Sequence, residues 1–421
     1  MTYHYIPENV PSTLHPRFFA KYLPEFGVDA DVLASSFSPF SSLDMSHDAN
    51  PNVHRTPLGR DRDRMKELHR WETFLCWHLK VPDWGRPWIS PGAAAGIRML
   101  EEHKYDLLIS FSPCFSAHRA ALRIKQRFPE LPWFAYLADP FVGNPFLHAN
   151  PVQQWLNERL EKKVFEAANG VIANTEAVEA IWRDRYPQLA SKFSNIPNGF
   201  DLEESVVAHP IPDDRKTPIL MHAGSLYGGR FPKMLFESMD RLTRAGQLTD
   251  ADLHVQLVGG FDAKSVSCPD LIESMKQRGN LILHEPVSRP EALRLAGEAD
   301  YLLLVDLNEA NTKFQVPSKL FDYLRIGRPI LCYTPRGSET QSILLQSGVP
   351  FVIIEAEASA AEADRGLVEF LKLSSNPQPM SSWARKTFDA REMTRQLLTF
   401  CGIDPNGSAS LTKGAEVTRH G

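Results

Sequence analysis

The chain of 421 residues is long enough for two domains with sizeable cores, and its 43% hydrophobic and 23% charged content is ordinary for a soluble globular protein. A formal net charge of -5 argues against broad nucleic-acid binding, although local basic clusters could still face a membrane. No apolar run reaches the ~18 residues of a transmembrane helix, and the N-terminus carries no signal-peptide pattern. We therefore expect a cytoplasmic protein with reduced cysteines, able to associate peripherally with the inner face of a membrane.

Strand-like and helix-like segments alternate along the chain, which predicts parallel sheets covered by helices on both faces. The first half contains about six βα repeats, with strands expected at 2–6, 30–35, 105–111, 133–137, 170–173 and 193–197. The stretch 37–64 is rich in Ser, Asp and Pro and is expected to be irregular. The apolar spacing over 65–79 predicts an amphipathic helix.

A polar, proline-containing linker at 203–216 leads into a second βα series. Its strands are expected at 219–222, 253–258, 281–284, 301–305, 330–333 and 351–354. The predicted fold is α/β, with two doubly wound, Rossmann-like parallel-sheet domains facing a cleft. The domains are expected at 1–202 and 203–378, followed by a final helix at 379–401 that packs back towards the first domain and a disordered tail at 402–421.

The segment VPSKLFDYLRIG predicts a short helix opened by Pro317 and ended by Gly327. Its first turn contains Lys319, a cation where the helix dipole favours an anion. A bound anion would make both the lysine and the free N–H groups favourable. Asp322 lies three residues on, on roughly the same face, and could accept hydrogen bonds from a ribose. A solvated lysine with an i,i+3 partner is the structural alternative.

A glycine-rich loop, HAGSLYGGRFPK, follows the first strand of the second half. Glycines there allow a tight turn and close approach of the backbone to phosphate, and Arg230 could neutralise that phosphate. Loops after different strands of one parallel sheet meet at the same edge, so this loop and Lys319 are expected to converge. The predicted nucleoside-diphosphate site comprises Gly224, Ser225, Arg230, Lys319 and Asp322.

The series IPNGFD, HAGSLYGGR, LVGG, SRPEALRLAGEADYLLL and VPSKLFDYLRIGRPI, in this order, resembles glycosyltransferases of the GT-B fold. The most similar group is the retaining glycosyltransferase family four, particularly members that build bacterial surface polysaccharides. The resemblance implies transfer of a sugar, with retention, from a UDP or GDP type of nucleotide sugar to a saccharide or lipid-linked acceptor. It also implies that Arg230 and Lys319 contact the diphosphate, that Asp322 binds the ribose, and that the first domain holds the acceptor.

The sequence departs from the family pattern at the donor sugar. The family has two glutamates eight residues apart; Asp322 stands at the second position and Phe314 at the first. Glu309 or Asn311 could replace the missing contact to the donor sugar. Asp139, at the end of a first-domain strand, could contact the reacting sugar or act as base, or could simply form a turn.

Three further expectations remain open. His118 could contact the acceptor from its helix, or could be a structural core histidine. The formal DxD motif at 61–63 is better explained as a solvated charged face, so no metal or other cofactor is expected, and two cations with helix N-termini would stabilise the leaving diphosphate. A sugar-nucleotide 2-epimerase or hydrolase, and a non-catalytic binding member of an assembly complex, are the alternative functions.

Overall fold

The computed structural model describes residues 1–36, 43, 52–57, 82–144, 150–226, 230–260, 268–306 and 312–406. The predicted helix at 65–79 and the DxD motif lie outside these residues. The chain divides into unit 1, which contains Met1–Asn198 and Ala390–Gly421, and unit 2, which contains Gly199–Asp389. Among the described helices, none combines the length and apolarity that crossing a bilayer requires.

Unit 1 is built on parallel strands flanked by helices. Its strands are β1 (Val32–Ser35), β2 (Val53–Thr56), β3 (Leu108–Phe111), β4 (Trp133–Leu137), β5 (Gly170–Ala173) and β6 (Phe193–Asn195). Its helices up to the domain boundary are α1 (Leu14–Tyr22), α2 (Ile89–Glu102), α3 (Ser116–Arg127), α4 (Pro151–Ala167) and α5 (Glu176–Arg185). The order β3-β4-β5-β6 forms one sheet, and β1 pairs with β2.

Two predictions for the N-terminal region are wrong. The expected strand at 2–6 is reduced to Thr2, which forms parallel bridges to Ala34 of β1 and to Phe111 of β3 and so connects the two groups of strands. The stretch expected to be irregular contains β2, which pairs in parallel with β1. Its sequence VHRT has one apolar residue and no buried run, so the strand is set by its neighbour rather than by its own composition.

Unit 2 has a six-stranded parallel sheet in the order β9-β8-β7-β10-β11-β12, the 3-2-1-4-5-6 order of Rossmann folds. The strands are β7 (Ile219–Ala223), β8 (His254–Val258), β9 (Leu281–His284), β10 (Tyr301–Val305), β11 (Ile330–Thr334) and β12 (Phe351–Glu355). The helices are α6 (Lys233–Arg244), α7 (Pro269–Arg278), α8 (Arg289–Glu298), α9 (Lys319–Ile326), α10 (Glu339–Gln346), α11 (Ala360–Phe370) and α12 (Ser382–Thr387).

Strand β10 is an uninterrupted apolar run and does not alternate between apolar and polar residues, because both faces of the sheet are covered at this strand. Leu303 packs into the cluster on one face of the sheet, which includes residues of α6 and α11. Leu302 packs into the cluster on the other face, together with Leu320 and Leu324 of α9. Because both faces are covered, every residue of this strand is buried.

The predicted final helix is two helices. Helix α12 belongs to unit 2, and α13 (Ala390–Phe400) belongs to unit 1, where it packs against α1. The break lies at Phe388, whose carbonyl accepts a hydrogen bond of 2.9 Å from the N–H of Phe200, while Asp389 forms a parallel bridge with Phe200. A tertiary pairing thus replaces the helical continuation that the local sequence favours.

Residues 402–406 form an ordered turn, although disorder was expected from 402 onward. The N–H of Ile403 donates to the carbonyl of Leu398 at 2.9 Å, and the Ile403 side chain packs against the core of unit 1. Burial of that side chain outweighs the polar composition of the segment. Residues 407–421 lie outside the described part of the chain.

Candidate functional site

The strand order of unit 2 reverses between β7 and β10, which are neighbours in the sheet. In open α/β sheets, ligands bind outside the carboxyl ends of the strands at such a reversal. The loop after β7 carries the glycine-rich segment, and the loop after β10 leads into helix α9. The topology therefore places both predicted loops at the position where a ligand is expected.

The loop after β7 packs backbone against backbone on the loop after β8. The N–H of Gly224 donates to Val258 O at 2.7 Å, and the N–H of Leu226 donates to Gly260 O at 2.9 Å. Gly259 has φ +117, and a Cβ at this position would lie 2.8 Å from the carbonyl carbon of Gly224. Only glycine permits this approach, which leaves the exposed Ser225 at the surface of the loop.

Lys319 lies directly over Gly224. A Cβ at Gly224, which has φ +125, would be 2.6 Å from Cε and 2.9 Å from Nζ of Lys319. One turn along α9, the hydroxyl of Tyr323 accepts a hydrogen bond of 3.0 Å from the N–H of Ala223. The start of α9 is thereby fixed to the end of β7, as the convergence of the two loops required.

Two cations lie close together at this position. The pKa of Lys319 is lowered to about 8, first by burial and then by the nearby cation of Arg230, while the carboxylate of Asp322 opposes this shift. Within the described part of the chain, Nζ of Lys319 has no hydrogen-bond or ion-pair partner. Two cations beside a helix N-terminus and a glycine turn form a site suited to an anion with several oxygens.

His222, one residue before the end of β7, is buried below this site. Its Nδ1 lies 2.9 Å from the carbonyl oxygen of Leu303. Burial first, and then the charge of Lys319, lower its pKa to about 3. The imidazole is therefore neutral at physiological pH and adds no third positive charge.

Asp322 is paired within unit 2, which the sequence did not indicate. Its two carboxylate oxygens each accept a hydrogen bond of 2.9 Å from the guanidinium of Arg289. Arg289 is the first residue of α8, directly after the N-cap Ser288. This is the same signal that identified Lys319, a cation in the first turn of a helix after a parallel strand, and it could have identified Arg289.

Two candidates lie in unit 1. Asp139 is half-buried and follows the carboxyl end of β4, a position compatible with the predicted role. His118 is fully buried, so the predicted acceptor contact is corrected to a core position. Its Nδ1 lies 2.8 Å from the Ser110 hydroxyl, which in turn accepts from the Trp133 indole, and burial lowers the His118 pKa to about 3.

The donor-sugar contacts remain predictions. Glu309 and Asn311 lie outside the described residues, as does the loop tip at 227–229. Phe314 is described and half-buried, so no carboxylate stands at the register of the first family glutamate. Across the described residues, no three His, Cys, Asp or Glu side chains are grouped as a metal would require.

The sequence model of Glycosyltransferase Family 4 matches residues 15–204. No curated protein matches the chain. Among solved structures, a lipopolysaccharide outer core galactosyltransferase, WaaB in its apo form, is 12% identical, with TM-score 0.58 over 95% of this chain and 97% of that one. Anabaena Alr3699/HepE in complex with UDP and glucose is 14% identical, with TM-score 0.57 over 94% and 97%. The trehalose-6-phosphate synthase OtsA is 10% identical, with TM-score 0.58 over 95% and 98%.

These similarities extend over nearly the whole length of each chain, whereas the family match covers less than half of this one and falls mostly in unit 1. At such low identity, the structural similarity establishes the fold. The predicted fold class, α/β with two Rossmann-like parallel-sheet domains of the GT-B type, is confirmed.

Proposed function

We propose that the protein is a glycosyltransferase that moves a sugar from a nucleoside-diphosphate donor to a saccharide or lipid-linked acceptor. The observation that carries the proposal is the half-buried ammonium of Lys319, held over Gly224 beside Arg230 at the sheet's reversal point. The match to Glycosyltransferase Family 4 and the glycosyltransferases among the structural neighbours support the same reaction class. The proposal includes a role in polysaccharide or glycoconjugate biosynthesis and transfer with retention of the sugar's anomeric configuration.

In the proposed reaction, the diphosphate binds to the N–H groups of the glycine-rich loop and to the two cations, Lys319 and Arg230. As the glycosidic bond to the phosphate breaks, negative charge grows on the leaving diphosphate, and the fixed cations stabilise it. This arrangement would serve in place of a divalent metal. Asp139 is proposed to contact the reacting sugar or to accept the proton of the acceptor hydroxyl.

The test is incubation of the protein with labelled UDP- and GDP-sugars and a pool of lipid-linked acceptors. Transfer of label to an acceptor supports the proposal. A changed or hydrolysed donor without transfer would instead support the 2-epimerase or hydrolase. Binding without any product would support a non-catalytic member of an assembly complex, a function that Phe314 at the expected glutamate position favours.

The pKa of Lys319 gives the proposed donor site a pH signature. The protonated lysine binds the diphosphate, and binding raises the pKa that burial and Arg230 had lowered to about 8. We expect affinity for UDP or GDP to be constant near pH 7 and to fall above pH ~8, by up to about tenfold per pH unit. Calorimetric titrations across this range measure the effect. Lys319→Arg, which stays charged, should give a flat profile; a flat profile in the unmodified protein would contradict the assignment.

Peripheral membrane association is proposed from one exposed face of α4. Val152, Trp155 and Leu156 occupy positions i, i+3 and i+4 and are 66%, 51% and 38% exposed. An exposed apolar patch of this kind, with tryptophan at its centre, is typical of helices that lie in the membrane interface. Trp155 suits the interface because its ring is apolar and its indole N–H is polar.

Basic side chains continue the same face of α4. The guanidinium of Arg159 lies 4.3 Å from the ring centroid of Trp155, and Lys162 and Lys163 are exposed further along the helix. Glu166 lies 3.8 Å from Lys162, so the net positive charge of this face comes from Arg159 and Lys163. Such a sequence of apolar and then basic residues complements an anionic lipid surface.

We expect Trp155→Glu to reduce binding to phosphatidylglycerol-containing vesicles by about tenfold or more, because the apolar contact is lost and a negative charge is added. Cosedimentation measures the bound fraction. Leu345→Glu is the matched control, since Leu345 is 65% exposed on α10 of unit 2. Equal binding by both variants, or none by the unmodified protein, would refute this part of the proposal.

A further inference from the structure

The carboxylate of Asp322 is held by an arginine that has no assigned role. Each of its oxygens accepts one hydrogen bond of 2.9 Å from Arg289, in the two-point geometry that fixes the plane of a carboxylate. An ionised carboxylate has about four acceptor sites. The pair therefore leaves acceptor capacity on both oxygens while it removes their freedom to rotate.

The surroundings of the pair balance its charges. Arg289 also lies 3.7 Å from a carboxylate oxygen of Glu204, and the same oxygen lies 3.6 Å from Arg325. Two guanidinium groups thus face two carboxylates at the edge of the site. The side chain of Asp322 is mostly buried, so its charge would be costly without this partner.

The position of Asp322 relative to Lys319 gives the pair a consequence for ligand binding. Asp322 is close enough to raise the pKa of Lys319, so an unpaired carboxylate there would also repel a diphosphate bound to the ammonium. Arg289 offsets that repulsion. It does so while directing the carboxylate oxygens that remain open to hydroxyl donors.

We propose that Arg289 is a positioning residue for the ribose of the donor: it orients Asp322 to accept the two ribose hydroxyls beside the bound diphosphate. This inference rests on the proposed function, because it assumes a nucleoside-diphosphate ligand at Lys319. Arg289 acts through Asp322 and need not touch the reacting atoms. It should therefore matter more for ligands with a ribose diol than for those without one.

Calorimetry with three ligands tests the inference: UDP, 2′,3′-dideoxyuridine diphosphate and inorganic pyrophosphate. Arg289→Met is expected to weaken UDP binding by about tenfold, the effect of one charge-assisted hydrogen bond. Binding of the other two ligands should weaken less than that of UDP, because they lose only the charge that offsets Asp322 and not the ribose contact. Arg294→Met is the matched control on the same helix, since Arg294 pairs with Glu291 and Glu298 at the surface. It should leave all three affinities unchanged.

A double-mutant cycle separates positioning from general structural damage. In an Asp322→Asn background, Arg289→Met should cause no further loss of UDP affinity, because the group it positions is already altered. Arg289→Lys keeps the charge without the two-point geometry and should lose UDP affinity while folding normally. An equal loss for all three ligands, or unchanged UDP affinity in both Arg289 variants, would overturn the inference. If the unmodified protein binds neither UDP nor GDP, the proposed function itself is contradicted.

Discussion

Lys319→Ala is expected to weaken the binding of UDP or GDP by about tenfold or more, the range for loss of a charge-assisted hydrogen bond to phosphate. The ammonium lies over Gly224 and beside Arg230, so its removal leaves both the helix N-terminus and the glycine turn without their nearest cation. Arg230→Ala should have an effect of the same order. Titration calorimetry with both nucleotides measures the two losses.

The control for this prediction is Lys276→Ala. Lys276 is in the last turn of α7, where it pairs with Glu273 at 3.1 Å, and its removal deletes a lysine of the same unit from a solvated surface. The affinity of Lys276→Ala for UDP and GDP should match that of the unmodified protein. Unchanged affinity for UDP and GDP in both the Lys319 and Arg230 variants would contradict the assignment of the diphosphate site.

Gly327→Ala is expected to destabilise unit 2 by about 2–4 kcal/mol, through the combination of backbone strain and overlap. Gly327 ends α9 with φ +76, and an added Cβ would lie 2.3 Å from the carbonyl oxygen of Gln378. That backbone is itself fixed, because the N–H of Gln378 donates to Gly327 O at 2.8 Å. A lowered midpoint in urea unfolding, followed by fluorescence, measures the effect.

Gly279 provides the comparison that separates strain from overlap. It ends α7 in the same left-handed conformation, with φ +81, but an added Cβ would have no atom within 4 Å. Gly279→Ala should therefore cost only the conformational penalty of about 1 kcal/mol. Equal costs at the two positions would mean that the contact with Gln378 contributes nothing.

The features that could be predicted from sequence are those with local causes. The cation in the first turn of α9 and the glycine that ends this helix each depend on a few adjacent residues, and the structure confirms them. The strands of unit 2 are equally predictable from sequence, because a strand covered on both faces needs an uninterrupted apolar run such as β10.

The features that could not be predicted depend on residues distant in the chain. The pairing of Arg289 with Asp322 joins the loops after two different strands, and no local pattern states which arginine will reach which carboxylate. The interruption between α12 and α13 is imposed by the pairing of Phe388 with Phe200, which lies far from it in the sequence, near the first residue of unit 2. For His118, helical spacing alone could not distinguish a surface position from the core position that the structure gives.

The pairing of Phe200 with Phe388 also determines how the chain is threaded. Unit 2 begins at Gly199 and ends at Asp389, and this pairing places its two ends side by side. In topological terms, unit 2 is an insertion in a loop of unit 1, and two covalent connections join the units instead of one. A protease that cuts one of these connections leaves the units tethered through the other, and the uninterrupted stretch between them contains Lys319, Arg230, Asp322 and Arg289.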